Sequence, residues 1–435
     1  MKDELDKILI SYKEPDFDEE LEKLFVSKLH ATCFRDDTNR DKVKDIVEDV
    51  SKRRDEAVAE YTEKFDAVKL TPKEFRVSKK ELEQAHQDVD TRLVSSIRES
   101  IENVRRYQKE IFIGNKTHPG IRYTPIERIG ICVPGASAPL PSTVIMTAVP
   151  AQVAGVKEIA VVSPPRFNGS IHPTILAVCH ELRINEVYRI GGAQAVAALA
   201  FGDNRSGRIK VDKIVGPGNT WVQMAKREVF GVVDIDSIAG TSEVLIIADD
   251  RANPTWVAAD MLSQVEHAPG SAILFTDSQQ LAEKALTALK AQLNRLDRAE
   301  QTTKCLRNLG GIFVFESMQD IIQSANDFAS EHLEIQCGDE STEIAHNIEN
   351  AGAIFIGDYS PVAVGDYWAG PSHTLPTGQT AKFFSALTSN DFIKSISIIE
   401  YDKAKLAASA DDIIRLAEVE GLDAHAKSIK IRLQG

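Results

Sequence analysis

The fold class can be inferred from Ile129-Gly130-Ile131-Cys132-Val133-Pro134-Gly135, a short run rich in β-branched residues that stops at a Pro-Gly pair. This is the pattern of a strand closed by a turn. A second run of the same kind, Glu158-Ile159-Ala160-Val161-Val162, stops at Ser163-Pro164-Pro165. Both runs therefore predict strands.

Downstream of these runs, helical and strand-like patterns alternate. Helices are predicted over 171–182 and 193–200, and strands over 186–190, 213–215, 244–248, 271–275, 311–315 and 353–356. Strands separated by helices of this length imply parallel βαβ units. We predict an α/β protein with two α/β domains.

The two ends of the chain have a different residue pattern from the α/β region between them. Up to about residue 110 the chain is charged, and apolar residues recur at helical spacing, as at 43, 46, 47 and 50. Beyond about residue 385 we predict a strand over 395–399 and a helix over 411–420. A tail of about fifty residues cannot bury a core of its own, so we expect it to pack on another domain or subunit.

Composition excludes several classes of protein. The 435 residues carry a formal net charge of -14, which disfavours nucleic acid as a partner. The first residues lack a secretion signal, and the most apolar stretch, 143–162, is interrupted by charged residues and proline, so we expect a cytoplasmic protein without a membrane partner. The 5 cysteines contain no CxxC pair, which disfavours disulfides and a thiolate metal site.

The first candidate for chemistry is a pair of side chains near the end of a predicted helix. Asn253 is suited to cap this helix and Pro254 to open it. Gln264 and His267 lie three residues apart, so both could meet one cation. Since neutral Gln is an uncommon zinc ligand, a surface His beside a helix end explains the pattern as well.

Three further segments combine acids and imidazoles. Adjacent Glu331 and His332 could transfer protons if the backbone sends both into one pocket; a solvated helix end is the alternative. The Gly- and Pro-rich segment 365–373 resembles a binding loop, although a simple turn would also explain it. Near the end of the chain, His425 follows a helix stop at Gly421 and fits a solvated terminal His.

Two glycine turns follow predicted strands: Gly191-Gly192-Ala193-Gln194 and Gly216-Pro217-Gly218-Asn219. Each presents backbone amides between a strand and a helix, where phosphate-bearing ligands usually bind. Neither turn is G-x-G-x-x-G, so plain connectors remain an alternative.

Taken together, these segments resemble the histidinol dehydrogenase family over nearly the whole chain. The matching motifs are Val133-Pro134-Gly135, 139–143, Gly191-Gly192-Ala193-Gln194-Ala195, 211–219, Ala239-Gly240-Thr241-Ser242-Glu243, 262–267, Glu331-His332-Leu333-Glu334, Gly365-Asp366-Tyr367, 373–377, Glu420-Gly421-Leu422 and His425. Their common order is far more specific than any single motif.

The resemblance implies roles that spacing alone does not give. One zinc ion per subunit would be bound by Gln264, His267 and Asp366, and by His425 from the second subunit of a homodimer. His332 would remove the alcohol proton and Glu331 would activate water against the aldehyde, which implies oxidation of histidinol to histidine, in histidine biosynthesis, with two NAD.

The same resemblance implies binding residues. Ser242, His373 and Glu420 would line the substrate pocket together with His332 and the zinc ligands. The cofactor NAD would contact the positions of Cys132, Gln194 and Asn219.

The family fold implies two incomplete Rossmann-like domains, the second inserted in the first, with intertwined helical N-terminal and C-terminal dimerisation arms. Applied to this chain, it predicts an N-terminal arm over 1–25, a zinc-binding and catalytic domain over 26–130 and 240–385, an NAD-contacting domain over 131–239 and a C-terminal arm over 386–435.

The chain departs from the family pattern near the expected pocket. Cys132 replaces a Tyr that contacts the cofactor, Thr241 replaces a Pro, and Ser372-His373-Thr374 replaces Asn-His-Val. For Cys132 we expect an apolar packing role, because the proposed chemistry requires no thiol.

Three other functions remain open at this point. A sulfopropanediol dehydrogenase would use the same Glu-His and zinc framework on a sulfonated diol. A zinc hydrolase would use zinc, Glu and His without NAD. A non-catalytic metabolite sensor would bind a ligand without forming NADH.

Overall fold

The structure is a computed structural model that describes residues 5–33, 37–135, 139–203, 207–208, 210–266, 269–296 and 298–434. The chain forms two compact units. The larger comprises Met1–Ile113 and Pro125–Ile393, and the smaller Gly114–Thr124 and Lys394–Gly435.

The front of the chain is mainly helical. One short strand, β1 (Leu9–Ser11), is followed by five helices: α1 (Phe17–Cys33), α2 (Asp37–Arg53), α3 (Asp55–Asp66), α4 (Lys79–Asp88) and α5 (Thr91–Ile111). The periodic residues Val43, Ile46 and Val50 are buried, so the predicted helical framework is confirmed.

A five-stranded parallel sheet follows. Its strands, after β2 (Ile121–Pro125) of the smaller unit, are β3 (Arg128–Cys132), β4 (Glu158–Val162), β5 (Glu186–Tyr188), β6 (Lys213–Val215) and β7 (Asp234–Ile235), in the order β5-β4-β3-β6-β7. The connecting helices are α6 (Pro141–Ala154), α7 (Pro173–Glu181), α8 (Gly192–Phe201) and α9 (Thr220–Val229).

A six-stranded parallel sheet contains the remaining strands of the larger unit. They are β8 (Ser242–Ala248), β9 (Gly270–Thr276), β10 (Gly311–Val314), β11 (His332–Gln336) and β12 (Ala353–Ile356), and together with β1 they have the order β1-β10-β9-β8-β11-β12. Its helices are α10 (Pro254–Val265), α11 (Gln279–Leu293), α12 (Ala299–Leu309), α13 (Met318–Phe328), α14 (Ser341–His346) and α15 (Val362–Tyr367).

The smaller unit is a strand pair followed by two helices. Strand β13 (Ile393–Ser397) pairs with β2, and α16 (Lys403–Val419) packs against α17 (Asp423–Leu433). Short 3-10 turns occur in the two units at Asp6–Ile8, Pro72–Glu74, Gly338–Glu340, Thr380–Lys382 and Ser389–Phe392.

The predicted α/β class with parallel sheets is confirmed. All strands of the five-stranded sheet lie, in chain order, between β1 and β8, which is the order that an inserted domain produces. Within the described residues, no helix is both long and apolar enough to cross a membrane.

Packing differs from the predicted domain division in two places. Val43 and Ile46 share a hydrophobic cluster with α8, and Leu82 and Ile97 share another with β3 and β4, so most of 26–130 packs with the five-stranded sheet rather than with 240–385. The predicted N-terminal arm contributes β1 to the edge of the six-stranded sheet, where it pairs in parallel with β10. In both places the apolar residues are buried within the larger unit.

Candidate active site

One cavity of about 160 Å³ is lined by residues of the six-stranded sheet and by loop and helix residues that adjoin the five-stranded sheet. We call it the catalytic cavity. Its walls come from the amino ends of β8 and β11, from α15, and from the start of α6 and the second glycine turn; they include Ser142, Pro217, Gly218, Ser242, Glu331, His332, Asp366, His373 and Thr377. Several residues predicted separately thus meet at one place.

Glu331 and His332 reach the cavity because of how α13 ends. Ala329 has a left-handed backbone with φ 48°, which stops the helix and turns the chain into β11. Strand β11 lies between β8 and β12, so neighbouring strands cover both residues. Glu331 is 7% exposed and His332 3%, so the alternative of a solvated helix end is wrong.

The Glu331 carboxyl is held at a fixed position. Its Oε2 accepts hydrogen bonds from Ser242 Oγ at 2.7 Å and from the Glu243 backbone N–H at 2.8 Å. Burial raises the pKa of Glu331 to about 7, even though nearby His332 and the hydrogen bonds lower it. Glu331 can therefore exchange a proton near neutral pH.

The surroundings of His332 fix which ring nitrogen is free. Nδ1 lies 2.9 Å from the Glu243 carbonyl oxygen, and since a carbonyl can only accept, Nδ1 carries the proton. Nε2 is buried without a hydrogen-bond partner among the described residues, and lies 3.9 Å from Asp366 Oδ1. In the neutral ring, Nε2 thus presents its lone pair, as a general base requires.

Gln264 connects to the same group of side chains. Asn253 caps α10 through its side chain, as predicted, and Gln264 lies in the last turn of that helix, 1% exposed. Its Nε2 donates a hydrogen bond to Ser242 Oγ, so Gln264, Ser242 and Glu331 form a chain. His267 lies outside the described residues.

The loop after α15 completes the cavity wall. His373 Nε2 lies 3.1 Å from Ser142 Oγ on α6. Its neighbour Ser372 is buried and donates to the Met146 carbonyl at 3.0 Å, which anchors the loop to the same helix. Ser372 thus supports His373, and Thr241 is buried at the entry to β8.

A second cavity, of about 270 Å³, lies at the carboxyl ends of β3 to β6. We call it the cofactor cavity; it is lined by Cys132, Pro134, Gly135, Gly191, Gly192, Pro217, Gly218 and Asn219, among others. It shares Pro217 and Gly218 with the catalytic cavity. An adjoining cavity of about 260 Å³ is lined by Gln194, Asn219, Phe65 and Trp221. The cofactor cavity therefore shares lining residues with each of the other two cavities.

Local geometry explains why glycine is needed in the second turn. Gly216 has φ +105°, and a Cβ there would come within 2.4 Å of the Cys132 carbonyl oxygen. Asn219 then caps α9 by accepting from the Val222 N–H at 3.2 Å. Burial raises the pKa of the Cys132 thiol to about 12, so it remains uncharged.

Sequence reasoning missed the residues that hold this turn. Asp236 accepts from the Gly216 N–H at 2.7 Å, and Lys226 Nζ donates to the Gly216 carbonyl at 3.1 Å and to Asp236. Both side chains are almost fully buried. A lysine in the last turn of a helix is ordinarily solvated and interacts favourably with the negative end of the helix dipole. The sequence therefore does not indicate that Lys226 is buried against Asp236.

Two predicted site residues belong to the smaller unit. Glu420 follows α16, and His425 lies in the first turn of α17. Both side chains are exposed in the single chain.

One cluster that could bind a metal ion lies apart from the predicted zinc ligands. It comprises His86, His180 and Glu181. Arg98 donates to both Glu181 oxygens, at 2.7 and 2.9 Å, and His86 also contacts Glu181. These contacts account for the cluster as an ion-pair group between α4, α5 and α7.

Comparison with known proteins gives consistent results. The family model for histidinol dehydrogenase matches residues 31–433. The histidinol dehydrogenase of Rhodopirellula baltica is 46% identical over 90% of this chain and 86% of its own length, and that of Heliobacterium mobile is 42% identical over 98% and 99%. The crystal structure of histidinol dehydrogenase from Elizabethkingia anophelis has a TM-score of 0.88 at 34% identity and covers 98% of each chain. The chain belongs to the histidinol dehydrogenase family of oxidoreductases.

Proposed function

We propose that this protein oxidises L-histidinol through L-histidinal to L-histidine, with NAD as acceptor and one zinc ion per subunit. The observation that carries the proposal is the buried Glu331-His332 pair, whose free imidazole nitrogen faces a cavity that adjoins the glycine turns. Family membership favours this reaction over oxidation of a sulfonated diol, and the glycine turns disfavour a hydrolase.

The proposed zinc ligands fit the ion by the chemistry of their donors. Gln264 offers an amide oxygen, Asp366 a carboxylate, and His267 and His425 imidazole nitrogens, all of which zinc accepts. The Asp366 carboxylate lines the catalytic cavity beside the unpartnered Nε2 of His332. Bound zinc would hold the substrate's nitrogens and orient its alcohol.

His332 acts first. Its Nε2 accepts the alcohol proton, and the hydrogen bond from Nδ1 to the Glu243 carbonyl holds the ring as it becomes positively charged. NAD bound along the glycine turns would accept the hydride in each oxidation.

Glu331 acts in the second oxidation, on the aldehyde. A pKa near neutrality lets its carboxylate accept a proton from water. Ser242 and the Glu243 N–H fix one carboxylate oxygen, which leaves the other to meet that water. Ser242 and His373 would line the substrate, together with Glu420.

Exposed apolar surface supports a homodimer. On the edge strand β12, Ile354 and Ile356 are exposed, and Tyr359 beyond it is 85% exposed. In the smaller unit Leu416 and Val419 are also exposed. Exposed apolar side chains of this kind favour burial against another chain. Such a dimer would let His425 and Glu420 reach the site of the second subunit.

Parallel assays of two substrates test the proposed function. Purified protein loaded with zinc is given NAD with L-histidinol or with dihydroxypropanesulfonate, and NADH is followed by absorbance. We expect NADH with histidinol and none with the sulfonate. NADH from the sulfonate alone would overturn the proposed substrate, and product without any NADH would favour a hydrolase.

A mixing experiment tests the shared site. His332→Ala and His425→Ala proteins are each inactive in this proposal, but a heterodimer would contain one intact site. We expect activity to return after verified subunit exchange; its absence would contradict the contribution of His425 across the dimer.

A further inference from the structure

Three elements carry the groups of the proposed site: Gln264 lies on α10, His332 on β11 and Asp366 on α15. Alternate residues of a strand share a face, so Glu334 lies on the same face of β11 as His332. Asp260 lies one helical turn before Gln264, on the same side of α10. The proposed chemistry uses neither Asp260 nor Glu334.

The Glu334 side chain contacts all three elements. It is 1% exposed, and its Oε1 accepts from the Val362 N–H, the first residue of α15, at 2.8 Å. Its carboxyl also faces that of Asp260 on α10, because the same amide nitrogen hydrogen-bonds to both. From β11 itself, Gln336 Nε2 donates to Asp260 Oδ2 at 2.8 Å and to Glu334 Oε2 at 3.1 Å.

Two buried carboxyl groups that face each other repel when both are ionised, so a proton on one of them is favoured. Burial and the charge of Asp260 together raise the pKa of Glu334 to about 8. Burial also raises the pKa of Asp260. Near neutral pH the buried Glu334 carboxyl can therefore carry a proton, which relieves the repulsion between the two groups.

We propose that Asp260 and Glu334 are positioning residues, whose carboxyl groups, joined by the Gln336 amide, hold α10 and α15 against β11 and so place Gln264 and Asp366 beside His332. The inference rests on the proposed function, because it assigns this pair to support two of the proposed zinc ligands. Neither carboxyl has to touch the substrate. Groups that orient metal ligands in this way commonly affect metal affinity.

Zinc affinity is the readout that separates this role from plain stability. It is measured on the purified full-length protein by competition with a chromophoric chelator. Glu334→Gln and Asp260→Asn keep the size of the side chain and one acceptor oxygen, and supply an amide donor to the facing carboxyl. We expect both to retain zinc affinity within about threefold. Glu334→Leu fills a similar volume without these bonds, and we expect it to weaken zinc binding by about tenfold or more.

Ser341→Ala is the matched control. It removes a buried hydrogen bond from the Cys337 N–H, 2.9 Å long, just beyond the other end of β11. We expect a lower melting temperature with wild-type zinc affinity. NADH binding, followed by fluorescence, should be unchanged in every variant because the glycine turns belong to the other sheet. Should Glu334→Leu fail to fold, Gln336→Leu removes the bridging donor instead.

Four results would overturn the inference. The first is wild-type zinc affinity in Glu334→Leu. The second and third are a loss of zinc affinity in Ser341→Ala or in Glu334→Gln as large as that in Glu334→Leu. The fourth is a loss of NADH affinity that accompanies the loss of zinc affinity. A wild-type protein that binds no zinc would overturn the zinc centre of the proposed function itself, and this inference with it.

Discussion

The catalytic and cofactor cavities adjoin, yet they are built in opposite ways. The catalytic cavity lies at the amino ends of β8 and β11 and is lined by side chains that form a hydrogen-bonded group around Glu331. The cofactor cavity lies at the carboxyl ends of β3 to β6 and is lined largely by glycine, proline and backbone. Proton transfer would depend on side chains in the first, and cofactor binding on backbone shape in the second.

This difference predicts that substitutions separate into two kinds. Changes around Glu331 and His332 should lower kcat and leave NADH affinity intact. Changes in the glycine turns should raise the KM for NAD more than they lower kcat.

The largest effect is expected from His332→Ala, since among the described residues no other residue that lines the cavity has a buried, unpartnered side-chain nitrogen. We expect kcat to fall by about 10²- to 10⁴-fold, the range for losing a general base. Stopped-flow NADH formation gives kcat, with zinc content and NADH affinity measured in parallel. A fall in kcat of less than about tenfold would contradict the base assignment.

Glu331→Gln should separate the two oxidations. The amide cannot accept a proton from water, so aldehyde oxidation should fall on the order of 10²-fold, while aldehyde formation falls less. Trapping the aldehyde with semicarbazide measures the two steps. In the wild type, aldehyde oxidation should speed up as pH rises through about 7, where Glu331 becomes ionised. Equal loss in both steps would contradict the assigned role.

Gly216→Ala tests whether cofactor binding depends on the backbone shape of the second glycine turn. Both the positive φ and the close Cys132 carbonyl oppose a Cβ, so the turn must shift. We expect the KM for NAD to rise on the order of tenfold with a smaller change in kcat. Gly231→Ala is the control, because Gly231 also has a positive φ but nothing lies within 4 Å of its Cβ position. The same rise in both variants would show that general strain is responsible.

The smallest effect is expected from Cys132→Ala. The thiol is buried and uncharged, with a pKa raised to about 12, and it takes no part in the proposed steps. We expect kcat and the KM for NAD to stay within about twofold. A large loss of kcat would indicate a chemical role for the thiol.

Much of the fold could be predicted from local patterns. The strands at Glu158–Val162, Lys213–Val215 and Ala353–Ile356 have the predicted bounds, because each is a short apolar run closed by turn residues. Strand β1 could not be predicted, since its 3 residues are too few to show a period. Nor does periodicity say which sheet a helix covers: Val43 and Ile46 share a cluster with α8, and Leu82 and Ile97 share another with β3 and β4.

The site was less accessible to prediction. Spacing alone gave Glu331 and His332 as a candidate pair, but their burial depends on the left-handed Ala329 and on the strands beside β11. Asp260 and Glu334 meet only after α10 docks on β11, so no sequence spacing relates them. The role of Ser372 likewise depends on its contact with a distant helix.

The most direct test of the account is the yield of NADH per molecule of histidinol consumed to completion by the zinc-loaded protein. Two successive oxidations in one site predict a ratio of about two, with histidine as the product. A ratio of about one, with the aldehyde as the final product, would contradict the proposed roles of His332 in the first oxidation and Glu331 in the second.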